Sequence, residues 1–260
     1  MRDVLNEIAK VTEFLWKRGW AEKNGGNMSY NVTGTSDKLL LFTPEPVKLS
    51  RPYPALADHS FIVTATGMRM RDVAASPLDF LCHVTVGTDG KTCTRHLFKP
   101  ETRVKLAPTS EMSSHLAIHE FLSESPNGER AVVHTHPDEL IALSHNRAYL
   151  NEKKLNTALW GVLPEVKVAI PDGVAVVPYE LPGSEKLAKA TIKALKGHSV
   201  ALWEKHGCLA AAKTADDAFD LIDIANKAAR IHLTCLAAGY KPEGISQARI
   251  NELEKAFVSR

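Results

Sequence analysis

The sequence predicts an α/β protein, because helical patterns and short strand-like runs both recur along its 260 residues. Residues 3–19 carry apolar side chains at helical spacing, and residues 215–238 form a longer pattern rich in Ala, Ile and Leu. Residues 30–98 consist instead of strand-like pieces separated by turns and a proline-rich loop. With 44% hydrophobic residues and no evident linker, the chain is expected to form a single domain spanning residues 1–260.

Composition and charge exclude several classes of protein. The formal net charge is +2 and the basic residues are scattered, so a nucleic-acid-binding face is not expected. No apolar run is long enough to span a bilayer, and charged residues interrupt any signal core near the N-terminus. The four cysteines form no Cys-x-x-Cys pair, which indicates reduced thiols. The sequence therefore predicts a cytoplasmic protein that binds neither membrane nor nucleic acid.

Two glycine-containing segments in the first third of the chain are candidate anion-binding loops. After the first helix come Asn24, paired glycines that include Gly26, and Asn27. Such a loop can turn backbone N–H groups and amide donors toward an oxyanion such as phosphate, although a plain glycine turn would read the same way. The β-branched strand at residues 61–67 ends in Thr66 and Gly67, a second possible oxyanion contact.

The next elements are a predicted hairpin and a helix. Residues 81–86 and 92–98 read as two strands joined through a turn at residues 88–90. The phosphate-loop and dinucleotide-binding glycine patterns are both absent. The anion-binding hypothesis therefore depends on the two glycine segments alone.

A helix is predicted to begin near residue 108, where Thr109 or Ser110 can cap its N-terminus. Glu111 would fall in the first turn, where the helix dipole favours a carboxylate, so it is either a capping residue or a catalytic one. Glu111, His115 and His119 share one helical face at i, i+4 and i+8, which makes them a possible metal-binding set. Two-histidine helix sites usually carry a Glu between the histidines, and this helix has none there.

The strongest metal-binding pattern is the His-Thr-His sequence at the end of a buried strand. Side chains two residues apart on a strand point to the same face, so His134 and His136 can aim at one point while Thr135 turns away. Two such imidazoles either hold a transition metal or are hydrogen-bonded and inert. His206 is a third histidine at a strand end, and the adjacent Gly207 permits close approach.

The second half of the chain alternates short strands with helices. The predicted elements are a helix at 139–143, a strand at 166–170, a turn at 171–173, a helix at 184–196, a strand at 199–203 and a helix at 245–258. Glu165 directly precedes the strand at 166–170, outside the strand ends that carry the histidines.

Taken in order, these segments resemble the class II aldolase/adducin family over nearly the whole chain. The resemblance rests on residues 19–27, 63–67, 108–111 with His115, 134–136, 159–160, 171–173 and 202–207. Trp160 and the spacing from Glu165 to Pro171 favour the branch that acts on L-rhamnulose 1-phosphate over the fuculose and ribulose branches. The sequence departs from that branch at Thr66, which stands in place of a Ser, and in residues 161–164.

The resemblance implies a three-layer α/β/α fold with a largely antiparallel central β-sheet flanked by helices. It implies Zn²⁺ held by His134, His136 and His206, with Glu111 as the catalytic acid/base. Glu165 matches a second carboxylate, which serves the active site of a neighbouring subunit, and the expected assembly is a homotetramer with active sites at subunit interfaces. The implied phosphate pocket consists of Asn24, Gly26, Asn27, Thr66, Gly67, Thr109 and Ser110.

The activity implied by the resemblance is reversible cleavage of L-rhamnulose 1-phosphate to dihydroxyacetone phosphate and L-lactaldehyde, as in L-rhamnose catabolism. The partner is thus a small sugar phosphate. Other readings within the fold are a related sugar-phosphate aldolase or a pentulose-phosphate 4-epimerase, which would use the same metal and rebuild the broken bond. A non-catalytic adducin-like scaffold would need no metal. A metal-dependent hydrolase would need a carboxylate to activate water, and the sequence has no Glu between histidines on a helix.

Overall fold

The structure is a computed structural model that describes residues 1–35, 39–100 and 106–258. Its helices are α1 (Arg2–Arg18), α2 (Met70–Ala75), α3 (Pro77–Phe80), α4 (Met112–Ser123), α5 (Asp138–Ser144), α6 (Glu152–Val162), α7 (Pro164–Ala169), α8 (Glu185–Leu195), α9 (Ala215–Ala237) and α10 (Gln247–Leu253). Its strands are β1 (Asn27–Asn31), β2 (Phe42–Pro46), β3 (Ser60–Thr64), β4 (Leu81–Val86), β5 (Cys93–Leu97), β6 (Ala131–Thr135), β7 (Val174–Val177), β8 (Val200–Trp203) and β9 (Gly207–Ala212).

The strands of the described residues form a nine-stranded mixed sheet in the order β2-β5-β4-β3-β1-β6-β9-β8-β7. The ladders β2–β5, β5–β4, β4–β3, β3–β1, β1–β6 and β8–β9 are antiparallel, whereas β7 pairs with β8 in parallel. A mixed, largely antiparallel sheet flanked by helices confirms the predicted α/β class.

The chain divides into two compact units. The first comprises Met1–Thr135, Glu180–Ile192 and Ala211–Ala218, and the second comprises His136–Tyr179, Lys193–Ala210 and Phe219–Arg260. The single domain expected for residues 1–260 stays a prediction.

The core of the first unit lies between the β3–β4–β5 meander and helix α4. Phe61, Val63, Cys82, Val84 and Leu116 are all buried there, in agreement with the β-branched and apolar pattern of these segments. The hairpin predicted over residues 81–98 is confirmed, because β4 and β5 pair in antiparallel fashion on either side of a turn.

The core of the second unit is built from the buried faces of its helices and of β7 and β8. Leu140 of α5, Leu155 of α6, Val174 of β7, Leu202 of β8 and Ile222 of α9 are fully buried. Asn156 fixes the turn that leads into β7, because its amide donates to the Val174 carbonyl (3.0 Å) and accepts from the Val174 N–H (2.7 Å). In the described part of the chain, no helix is long and apolar enough to cross a membrane.

The strand predicted at residues 166–170 is wrong: the segment is helix α7. Pro164 occupies the first turn of that helix, where its missing N–H costs nothing and its fixed φ is already helical. Lys167 then holds the turn, since its ammonium donates to the Pro171 carbonyl (2.8 Å) and lies 4.3 Å from the centre of the Trp160 ring. These contacts outweigh the strand preference of the β-branched residues.

The predicted start of helix α4 also needs correction. The helix begins at Met112, and Glu111 is its N-cap residue rather than a member of the first turn. Neither Thr109 nor Ser110 caps the helix. Thr109 instead accepts the Glu111 N–H on its hydroxyl (3.3 Å) and the Met112 N–H on its carbonyl (3.0 Å), which makes a tight turn before the helix.

Candidate metal centre and substrate site

His134 lies one residue before the end of β6, directly opposite Asn27 in the β1–β6 ladder. The side chain of the next residue, Thr135, is buried and donates to the Trp20 carbonyl at 2.7 Å. The Thr135 side chain thus points to the face opposite His134, because successive side chains alternate between the two faces of a strand. His136 follows directly after β6, at the point where Pro137 stops the strand.

His206 is positioned by the tight turn that joins β8 to β9. Trp203 and Gly207 are ladder partners, so the turn consists of the three residues between them. Lys205 adopts a left-handed conformation (φ 58°) and donates its N–H to the Ser144 hydroxyl at 2.8 Å. The His206 N–H bonds the Trp203 carbonyl at 3.1 Å. This geometry brings the His206 ring to 5.5 Å from the ring of His136, measured between centroids.

The three histidines form a group that can hold a metal. Each offers one ring nitrogen, and these nitrogens all lie within 4.8 Å of one another. Neutral imidazole is a good ligand for zinc and related transition metals, and three such ligands leave room for substrate oxygen, as catalytic zinc sites require. The donor set therefore fits the zinc that the sequence resemblance implies.

The cysteines do not take part in this site. None of the four forms a disulfide in the described part of the chain, and burial raises the pKa of Cys82, Cys93 and Cys208 to about 12. Such buried thiols stay protonated, and the described residues that come together as a possible metal-binding group are the three histidines.

Gly26 packs directly against the strand that carries the first histidine. Its φ is 76°, and a Cβ built there would lie 2.8 Å from the carbonyl oxygen of His134. A non-glycine residue would be strained by its backbone and would also collide with that carbonyl. Glycine is therefore required at position 26 because the backbone lies against the strand that carries His134. A simple surface turn would not impose that requirement.

The segment after β3 and the segment before α4 are joined side by side. The Thr66 N–H donates to the Ala107 carbonyl, and the Thr109 N–H donates to the Thr64 carbonyl, both at 2.9 Å. The Thr64 hydroxyl in turn accepts the N–H of Met28 at 3.1 Å, which ties the start of β1 to the same place. Three segments predicted separately from the sequence thus converge.

Of the proposed phosphate-binding residues, Thr66 and Thr109 lie on the two joined segments, and Asn27 begins the strand that is tied to them. Thr109 and Asn27 are buried, whereas Asn24, Thr66, Gly67 and Ser110 are exposed. Gly67 has a φ of 74° and nothing within 4 Å of the position of a Cβ, so its surroundings are open.

Glu111 lies among these segments and is 8% exposed. One carboxylate oxygen accepts a hydrogen bond from the amide of Asn27 at 3.0 Å. The side chain makes no capping hydrogen bond to α4. A residue on the loop before α8 also comes near, because a Cβ on Gly183 would lie 3.9 Å from Cγ of Glu111. The sequence analysis did not identify Gly183, which follows a proline in an otherwise ordinary turn.

The alternative metal set of Glu111, His115 and His119 is not formed. Both histidines are 2% exposed and bond Ser29, through Nδ1 of His115 (2.6 Å) and Nε2 of His119 (2.8 Å). Nε2 of His115 also contacts the amide oxygen of Asn27. Burial lowers the pKa of His115 to about 4 and that of His119 to about 3, so both rings are neutral at ordinary pH.

Glu165 is exposed in the first turn of α7, in the second compact unit. Its helix is anchored by Lys167, whose ammonium also lies 3.4 Å from the carboxylate of Glu254.

Comparison with known proteins agrees with this arrangement. The family model described as Class II Aldolase and Adducin N-terminal domain matches residues 6–233. A rhamnulose-1-phosphate aldolase of Bacteroides thetaiotaomicron is 38% identical over 256 residues, which cover 97% of this chain and 93% of the relative. A rhamnulose-1-phosphate aldolase of Pectobacterium carotovorum is 38% identical over 259 residues, covering 96% and 92%.

Solved structures give the same result for the fold. The crystal structure of a sugar-phosphate aldolase from Thermotoga maritima superimposes with a TM-score of 0.79 at 32% identity, covering 94% of this chain and 99% of that one. Sequence and fold agree over nearly the full length. The chain therefore belongs to the class II aldolase and adducin family.

Proposed function

We propose that the protein is a class II aldolase that reversibly cleaves L-rhamnulose 1-phosphate to dihydroxyacetone phosphate and L-lactaldehyde. The observation that carries this assignment is the three-histidine group together with a buried carboxylate, that of Glu111, which makes no capping hydrogen bond to α4. Curated relatives at 34–38% identity over most of the chain bear the name of this activity.

The metal ion we propose is Zn²⁺, with His134, His136 and His206 as its ligands. When bound, zinc would supply a Lewis acid that draws negative charge onto the hydroxy-ketone oxygens of the substrate. The three ring nitrogens support this proposal because they are a neutral donor set in which no thiolate competes.

Glu111 is the group we propose to move the proton. Breaking the C3–C4 bond converts the C4 alcohol to an aldehyde, releases the C4 hydroxyl proton to solvent, and leaves the bonding electron pair on C3, next to the C2 carbonyl. Glu111, after taking up a proton from solvent, would give it to C3 and would remove it in the direction of synthesis. Its burial and its hydrogen bond from Asn27 hold the carboxylate in one place, which this transfer requires.

The substrate phosphate would be bound by the two joined loops and the glycine segment. The proposed contacts are Asn24, Gly26, Asn27, Thr66, Gly67, Thr109 and Ser110. Anchoring the phosphate away from the breaking bond orients the substrate. The Asn27 amide has one N–H hydrogen left for this purpose, because its oxygen faces His115 and its other N–H hydrogen faces Glu111.

We also propose that the enzyme works as a single-domain subunit of a homotetramer in the cytoplasm. Each Glu165 would complete the active site of a neighbouring subunit, and its exposure in α7 is compatible with that role. A mixing experiment addresses this point. When Glu111→Gln and Glu165→Ala chains are assembled together, some sites regain both carboxylates, so activity should rise above that of either mutant. No recovery in oligomers that have exchanged subunits would reject the shared site.

The test of the proposed function is Glu111→Gln, which keeps the shape of the side chain and removes its charge. Turnover of L-rhamnulose 1-phosphate should fall by about 10²–10⁴-fold, the usual contribution of a general acid–base group. Zinc content should stay at the wild-type level. Wild-type turnover in this variant would reject Glu111 as the acid/base.

A coupled assay separates the assignment from the alternative activities. L-rhamnulose 1-phosphate, L-fuculose 1-phosphate and a pentulose 5-phosphate would be compared side by side. Aldehyde release from the first substrate, without epimerisation of the pentulose, is expected. Epimerisation would favour the 4-epimerase, and a metal-free inactive protein would favour an adducin-like scaffold.

A further inference from the structure

A chain of buried hydrogen bonds leads from the interior of the first unit to Glu111. It runs from His119 to Ser29 (2.8 Å), from Ser29 to His115 (2.6 Å), from His115 to Asn27, and from Asn27 to Glu111 (3.0 Å). Ser29 and Asn27 are two residues apart on β1 and share a face, and the two histidines are one turn apart on α4. None of the five residues is more than 8% exposed.

The donor in each of these bonds is fixed by the carboxylate at the end of the chain. An ionised carboxylate can only accept, so the NH₂ group of Asn27 faces Glu111 and its oxygen faces His115. His115 must therefore carry its proton on Nε2, which leaves Nδ1 to accept the Ser29 hydroxyl proton. Because the Ser29 hydroxyl donates its one hydrogen to His115, its oxygen can only accept from Nε2–H of His119. The neutral state of both rings makes this sequence of donors self-consistent.

We infer that Asn27 is a positioning residue for Glu111, and that Ser29, His115 and His119 hold its amide in the one orientation that donates to the carboxylate. The inference rests on the proposed acid–base role of Glu111. Without the N–H of His115, the oxygen of the Asn27 amide loses its donor, and the amide is no longer held in line with Glu111. The carboxylate would then lose its fixed hydrogen-bond donor and could move out of line with the substrate.

Two substitutions of similar size at His115 separate this role from simple packing. Gln carries its terminal amide at the distance of Nε2 and can still donate to Asn27. Asn carries its amide at the distance of Nδ1, so it can accept from Ser29 but leaves Asn27 without its donor. His115→Asn should have a kcat at least about 10-fold below that of His115→Gln, because small misplacement of a reacting group costs up to about 10²-fold. The KM for L-rhamnulose 1-phosphate should differ little between them.

A second pair of variants keeps the test valid if the His115 variants do not fold. Ser29→Ala removes the hydroxyl that fixes the His115 tautomer. Ser114→Ala removes a different buried hydroxyl, on α4, which has no hydrogen-bond partner among the described residues. We expect kcat to fall about 10-fold in Ser29→Ala and to keep its wild-type value in Ser114→Ala, with the zinc content of both unchanged.

The outcomes distinguish the inference from the function on which it rests. Equal kcat values within each pair, in variants that fold and bind zinc, would overturn the role of the chain while leaving Glu111 as the acid/base. A raised KM with unchanged kcat would also overturn it, because the chain would then support only the proposed phosphate contact of Asn27 and not the position of Glu111. Full turnover in Glu111→Gln would reject the acid–base role of Glu111 on which the inference rests, and no aldehyde release from L-rhamnulose 1-phosphate by the wild type would reject the proposed function itself.

Discussion

Replacing Gly26 by alanine should weaken both the fold and the metal centre, because this residue touches the strand that carries His134. Gly26 has a φ of 76°, and a Cβ at that position would lie 2.8 Å from the carbonyl oxygen of His134. That carbonyl belongs to the backbone of a central strand of the sheet, so it cannot move aside as the end of a flexible side chain would. The collision must shift either the glycine segment or the proposed metal ligand.

The size of the effect can be separated into two parts. The left-handed backbone costs an L-residue about 1–2 kcal/mol. Forcing an extra methyl group against packed backbone costs roughly 1–3 kcal/mol more. Gly34 supplies the control, because it has the same φ of 76° and nothing within 4 Å of its Cβ position. Gly34→Ala should therefore lose only the first part of the free energy of unfolding, and Gly26→Ala should lose both.

The assay is urea unfolding of both variants, together with their zinc content after dialysis. Gly26→Ala should unfold at lower urea than Gly34→Ala and should retain less zinc, since displacement of the His134 backbone moves its ring. Equal losses of stability with full zinc in both variants would refute the reasoning. They would mean that the contact with the His134 carbonyl is relieved at no cost.

Three further predictions follow from other parts of the structure. His206→Ala should lose its bound zinc and stay folded, because His206 lies in a hairpin turn rather than in the core; metal analysis beside circular dichroism checks this. Asn156→Ala should lower the free energy of unfolding by roughly 2–4 kcal/mol, since it leaves two buried backbone groups of Val174 unpaired, and urea titration measures the loss. His119→Gln should reduce the acid sensitivity of the fold. Burial lowers the pKa of His119 from 6.5 to about 3. Between these two pH values the unfolded chain binds a proton at this residue and the folded chain does not, so the free energy of unfolding decreases as the pH falls below 6.5. Unfolding free energies measured with a chelator at pH 7 and pH 5 should therefore differ less in this variant than in the wild type.

Part of the proposed metal centre could be predicted from the sequence, because the positions of its residues follow from local rules. A period of two on β6 places His134 and His136 on one side of Thr135, and Pro137 ends the strand at that point. His206 was recognisable as a histidine directly after a strand and before a glycine. That all three ring nitrogens meet could not be derived from spacing, since it depends on the order of β6, β9 and β8 in the sheet.

Helix α7 could not be predicted, because tertiary contacts decide its conformation. The β-branched residues of 166–170 favour a strand, and Pro164 is the only local signal for a helix start. The position of Lys167 over the Trp160 ring becomes visible only when α6 and α7 are folded together. The same limitation applies to the start of α4. Thr109 was a plausible N-cap of this helix, but its hydroxyl accepts the Glu111 N–H and so closes a turn that precedes the helix.

The two histidines of α4 illustrate why residue type and spacing alone do not assign a role. A four-residue spacing, typical of metal ligands on a helix, relates Glu111, His115 and His119. The residues of the neighbouring strand β1 decide whether these side chains bind a metal or form a chain of hydrogen bonds. Ser29 faces both rings from β1 and takes up one nitrogen of each, and Asn27 takes up the second nitrogen of His115. The carboxylate that completes the apparent ligand set is instead the acceptor at the end of this chain. A metal there would have to break three buried hydrogen bonds, whereas the His134, His136 and His206 nitrogens already lie within 4.8 Å of one another. The same helical repeat that suggested a rival metal site therefore supports the position of Glu111, the proposed acid–base group.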